Sequence, residues 1–198
     1  MEYNSLYNSR VVESSQTACH TALEEIVQKH LVHDFRKPVS EHSRTAFLKA
    51  EEVLRRADCP VVLDTGCGTG ESTVQLAQRH PGALVIGIDK SAHRLYRSAA
   101  HTGVAGNYLL LRADLVDFWR LTAEAGWPVQ KQYLLYPNPW PKPDHLMRRW
   151  HGHPVFGSIL ATGGEIVVRS NWRVYLEEFA TACAVAAGMR GDIETSHP

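Results

Sequence analysis

The sequence predicts an α/β fold, a mostly parallel sheet with helices on both faces, from three observations. After Pro60 short apolar runs alternate with helical stretches, the first run leads straight into a glycine-rich turn, and acidic residues stand at the ends of successive runs.

Before Pro60 the pattern is helical from Ser14 to about Arg56. Leu23, Ile26, Val27 and Leu31 form one stripe, and Ala46, Phe47, Ala50, Val53 and Leu54 form a second. The stretch from His33 to Pro38 separates them. Residues 1–57 are therefore expected to be a helical extension capping a domain of residues 58–198. Strands are expected at Val61 to Leu63, Ala83 to Ile88, Tyr108 to Leu111, Tyr133 to Tyr136 and Glu165 to Val168. Helices are expected at Glu71 to His80, Ser91 to His101, Leu115 to Ala125, around Val155 to Leu160, and at Val174 to Gly188. Only Asp192 to Thr195 remains for a sixth strand, so the sheet is expected to lack its last strands.

The 198 residues fit one domain with a short extension, and 44% hydrophobic with 21% charged residues excludes a disordered or fibrous chain. No apolar run approaches the roughly 18 to 20 residues of a membrane span, and the N-terminus lacks a signal peptide's apolar core. A cytoplasmic location without a membrane partner is expected. Cys19, Cys59, Cys67 and Cys183 show no C-x-x-C spacing, so neither a metal site nor disulfides are expected. With zero net charge and eleven histidines, no global field draws nucleic acid, and any RNA contact must be local.

The run VVLDTGCGTG over 61–70 is a buried strand, a loop with Gly66, Gly68 and Gly70, and then a helix. Such glycines let a ligand approach the main chain closely. A dinucleotide loop reads G-x-G-x-x-G, whereas G-x-G-x-G preceded by Asp64 favours S-adenosylmethionine, whose cationic groups an acid attracts. Packing alone also accounts for a glycine-rich turn. Asp89, 25 residues after Asp64, can take both ribose hydroxyls, with Lys90 beside it. Asp114, preceded by Ala113, can meet the adenine amino group.

After the fourth strand comes LLYPNPWPK over 134–142, where three prolines around Asn138 and Trp140 stiffen the chain. Rigid positioning suits a reaction dominated by proximity, though a proline-rich turn with a packing tryptophan reads the same way. Lys142, Arg148, Arg149 and three histidines between 142 and 153 are expected to grip phosphates, if they are more than a solvated face.

Here the sequence resembles the tRNA (guanine-N7)-methyltransferases, class I S-adenosylmethionine-dependent enzymes with a Rossmann-like fold. The matching residues of their P-D-P-W-P-K signature and the following histidine and arginines are Pro137, Pro139, Trp140, Pro141, Lys142, His145, Arg148 and Arg149. With the glycine loop and acids, the resemblance covers roughly Pro60 to Tyr175. It implies methyl transfer to a guanine in tRNA, with the cofactor at Asp64, Asp89, Asp114 and Asn138, and with Lys142, His145 and Arg148 facing the RNA.

The sequence departs from that pattern in several places. The signature's aspartate is Asn138 here, and the aspartate expected after the fifth strand is matched by Asn171. Pro143 and Asp144 replace basic residues, and nothing after Gly191 matches the family's substrate-contacting threonine and glutamate motif. Methylating guanine N7 leaves the purine positively charged, which a carboxylate stabilises better than an amide does. Two other readings stay open. One is an N-methyltransferase for a small heterocyclic, purine-like acceptor, and the other is a non-catalytic cofactor-binding module.

Overall fold

A computed structural model describes residues 12–33, 35–97, 106–188 and 191–194. Among them the chain forms two compact units, one within 35–137 and 157–168, the other from 12–33, 138–156 and 169 onward.

The first unit is built on a sheet of β1 (Val61–Thr65), β2 (Leu84–Asp89), β3 (Tyr108–Arg112), β4 (Val129–Leu135) and β5 (Glu165–Arg169), in the order β3-β2-β1-β4-β5. β1 pairs in parallel with both β2 and β4, and β2 in parallel with β3. Every residue of β1 and β2 is buried, which is why both read as continuous apolar runs.

Alternation along these strands sorts the core into two layers. Val61, Leu63, Leu84, Ile86 and Ile88 pack with Phe47, Ala50 and Leu54 of α2 (Glu41–Ala57) and with Phe118 and Leu121 of α5 (Leu115–Ala125). Phe47 stacks on Trp127 at 4.6 Å between ring centroids, with Phe118 edge-on to both. Val62 and Val85 face the other way, onto Leu76 and Ala77 of α3 (Glu71–Arg79).

β4 begins at Val129, earlier than its expected start at Tyr133, because one polar residue in it is a core residue. Gln132 is fully buried, accepting from Trp119 Nε1 at 3.1 Å and donating to the carbonyls of Ile159 (3.0 Å) and Gly163 (2.7 Å). The strand stops before Tyr136, whose φ of 53° is left-handed. α4 (Ala92–Tyr96) starts close to its expected position, and 98–101 of that expectation lie outside the described residues. Residues 191–194 form no strand, and Thr195 lies outside the described residues. Among the described residues no helix is long and apolar enough to cross a membrane.

The second unit holds α1 (Leu23–Val32), the 3₁₀ turns Pro143–Arg148 and Trp150–Gly152, and α7 (Arg173–Ala187), which packs on α1. The short α6 (Phe156–Ala161) runs from it into the sheet unit. The two helices before β1, expected as one cap, are divided, α1 in this unit and α2 in the other. Ser14 to Ala22, expected as helix, is irregular, because its polar groups bond to residues distant in sequence instead of along a helix.

Candidate active site

The sheet order reverses at β1, with β2 on one side and β4 on the other, and the glycine loop leaves the carboxyl end of that strand. This is where open α/β sheets bind ligands. Gly66, Gly68 and Gly70 have φ of 85°, 59° and 80°, which only glycine adopts freely. Amides of Gly66 and Cys67 donate to Ile88 O, tying the loop to β2.

Asp64 is 1% exposed, and its Oδ2 accepts from Ser72 Oγ (2.6 Å) and Thr73 Oγ1 (2.7 Å) at the start of α3. Burial raises its pKa, partly offset by those two hydroxyls. Both partners are neutral, so nothing in these two bonds balances the carboxylate's charge. Asp89, 2% exposed, accepts at Oδ2 from Gly68 N (3.0 Å) and at Oδ1 from Ser91 N (2.7 Å), and Oδ1 also pairs with Arg94 at 3.1 Å. Lys90 is exposed and its carbonyl accepts from Arg112 Nε, while Ala113 is fully buried and its amide donates to Asp89 O. Asp114 caps α5 by accepting from Val116 N at 2.9 Å, and its second oxygen lies 3.6 Å from Lys37 Nζ. Sequence reasoning missed Ser72, Thr73 and Arg94; their signal is the hydroxyl pair opening α3 and a basic residue in the helix after Asp89.

Gly87 on β2 protects this arrangement. A Cβ there would run into Thr73 Oγ1 and come to 2.7 Å from Leu110 Cδ2. Gly87→Ala is expected to push Thr73 off Asp64 and cost about 2 kcal/mol of stability. Thermal melting checks this, and an unchanged midpoint would contradict it.

In the second unit Asn138 is exposed, and its Oδ1 accepts from Trp140 N at 3.3 Å. Trp140 has a left-handed φ of 47°, a conformation costing a bulky residue roughly 1 to 2 kcal/mol. Its ring lies under the Arg148 guanidinium at 4.9 Å and edge-on to His145 at 5.5 Å. Lys142 and Arg148 are exposed, whereas burial, then the charges of Arg148 and Lys142, lowers the His145 pKa and favours the neutral ring. Asn171 is exposed, in the bend between β5 and α7.

Arg149 and His151 do not take the phosphate-gripping place expected of them, because both are fully buried against Glu178 of α7. Arg149 Nη1 pairs with Glu178 Oε2 at 2.5 Å and His151 Nε2 lies 2.9 Å from the same oxygen. Glu178 Oε1 accepts from Gln16 Nε2 (2.6 Å) and His20 N (2.9 Å). The sequence carries no local signal for this cluster, whose members come from distant parts of the chain.

A parallel sheet in this order, with a glycine loop at its reversal and acids ending consecutive strands, defines the class I methyltransferase fold. The family described as "Putative methyltransferase" matches residues 58–190, and the chain belongs to it. The chain is similar to the tRNA (guanine-N(7)-)-methyltransferase of Cereibacter sphaeroides, 32% identical over 124 residues that are 60% of this chain and 51% of that protein. It is 30% identical to the protein of the same name from Pseudoalteromonas atlantica over 164 residues, 79% of this chain and 66% of the relative. The chain spans about half the length of the first of these relatives. A solved structure of an antibiotic-related methyltransferase shares the fold, with a TM-score of 0.52 at 16% identity, covering 79% of this chain and 82% of that one.

Proposed function

We propose that the chain is an S-adenosylmethionine-dependent methyltransferase that modifies N7 of a guanine in tRNA in the cytoplasm. The observation that carries this reading is the stiff loop after β4, with Trp140 held between Arg148 and His145, in a chain of a methyltransferase family. The names of the similar proteins support the guanine and the tRNA.

S-adenosylmethionine supplies an electrophilic methyl group on a sulfonium. Asp64, Gly66, Gly68, Gly70, Asp89, Lys90, Ala113, Asp114 and Asn138 would bind it. The donor set suits such a ligand. A buried carboxylate whose bound hydroxyls are neutral favours a cation, and a Cβ built at Gly68 meets only open space, so the loop backbone is approachable. Arg94 is half-exposed and can yield an Asp89 oxygen to a ribose hydroxyl. Trp140, Lys142, His145, Arg148 and Asn171 would face the substrate. Guanine N7 has a lone pair and no proton, so this chain needs no general base, and Asn138 and Asn171 offer only dipoles to the cationic product.

One observation favours a small purine-like acceptor as the second reading. With Arg149 and His151 buried, Lys142 and Arg148 are the exposed formal cations between 142 and 153, few for a phosphate grip. Labelled S-adenosylmethionine with unmodified tRNA, followed by nucleoside analysis, separates the readings. Label in 7-methylguanosine supports tRNA; cofactor binding without RNA labelling moves the assignment to a small acceptor or a binding role. Asn138→Asp is expected to raise guanine methylation by about tenfold, since a carboxylate stabilises the developing charge better. An unchanged or lower rate would mean that the amide suits another acceptor.

A further inference from the structure

We propose that Arg149 is a positioning residue for the loop that carries Trp140 and Lys142, acting together with Ser14 and Glu178. The proposal rests on the methyl-transfer reading for its kinetic consequence only.

Three consecutive loop carbonyls are held by named donors. Arg149 Nε and Nη2 both donate to Trp140 O, at 3.2 and 3.1 Å, and Nη2 also donates to Lys142 O at 3.1 Å. Between them, Pro141 O accepts from Ser14 Oγ at 2.6 Å. Among the described residues, three of the guanidinium's five hydrogen bonds therefore go to the loop, the others to Glu178 Oε2 and Gln16 Oε1.

The remaining contacts fix the guanidinium itself. It lies over the Trp172 ring at 4.8 Å, and Glu178 is held in turn by Gln16 and His20 at Oε1 and by His151 at Oε2, the oxygen it shares with Arg149. The planar fork is what lets one side chain reach two carbonyls and a carboxylate, and a lysine ammonium, a single point of charge, cannot reproduce it. The left-handed Trp140 backbone needs such a hold, because a strained conformation persists only where its surroundings over-determine it. The loop's stiffness, which its prolines suggest, is thus completed by groups outside it, including the segment before α1.

The test is hydrogen exchange and methyl-transfer kinetics on the full chain. Arg149→Lys is expected to speed amide exchange within 138–148 by about tenfold, while β1 and α3 amides stay within about twofold. It is expected to lower kcat for tRNA about tenfold with KM for S-adenosylmethionine changed less than about threefold, since most of the residues that face the acceptor lie in the loop and Asn138 alone of the cofactor residues does. Ser14→Ala removes one hold and leaves the ion pair intact, with about threefold faster loop exchange expected. Unchanged loop exchange in folded Arg149→Lys overturns the proposal. Should that variant fail to fold, unchanged exchange in Ser14→Ala does so. Wild-type protein that labels no tRNA defeats the tRNA reading, while loop exchange still decides the positioning role.

Discussion

Glu178→Leu is expected to destabilise the protein by about 3 to 5 kcal/mol, because it leaves the Arg149 guanidinium buried without its counter-charge. Arg149, His151 and Glu178 are all fully buried, so water cannot replace the lost partner without opening the unit. Gln16 and the His20 amide lose their acceptor in the same step. Urea unfolding followed by circular dichroism measures the change, and a loss under about 1 kcal/mol would contradict it.

The same carboxylate makes an acid limb in the stability profile. Burial opposes its ionisation, but hydrogen bonds and charge from His151, the His20 amide and Arg149 outweigh this and pull the pKa from 4.5 down to about 2. A folded pKa below the unfolded one gives stability that is fully present above pH 4.5 and is lost as pH falls through about 2, amounting to roughly 3 kcal/mol. Burial also lowers the His151 pKa below 6.5, so protonating His151 in the unfolded chain adds to acid destabilisation below that pH. Glu178→Leu should flatten the limb below pH 4.5; an equally steep limb in the variant would assign it to other carboxylates.

Asp89→Ala is expected to weaken S-adenosylmethionine binding about a hundredfold, since a carboxylate's paired hydrogen bonds to two hydroxyls are charge-assisted. The substitution also strips acceptors from Gly68 N and Ser91 N, which loosens the glycine loop from β2. Asp89→Asn separates the two effects, because an amide oxygen can keep one of these bonds while its NH₂ group cannot accept the other. Titration calorimetry on both variants reads the affinities. A folded Asp89→Ala that binds the cofactor as tightly as wild type would remove Asp89 from the site.

The sheet was legible because its central strands are buried on both faces and so are apolar without interruption, as in Val61 to Leu63 and Val85 to Ile88. The loop at 66–70 was legible because left-handed backbone there demands glycine, a constraint written in single residues. Local patterns of this kind are set by the chain's own sterics and by which face meets water.

The polar residues were not legible in this way. Gln132 lies just before the expected start of β4 and is a core residue, because Trp119 and two carbonyls satisfy its amide. Arg148 and Arg149 are adjacent and chemically identical, yet one lies exposed on Trp140 and the other is buried against Glu178. Asp89 and Asp114 were legible as strand-end acids, but not that Arg94 and Lys37 would stand beside them. Local patterns of apolar runs, glycines and prolines sufficed for the parallel sheet, the glycine turn and the proline-rich loop. The fold alone decided which charges are buried, because a buried charge is stable only with partners, and here those partners lie up to 162 residues away along the chain.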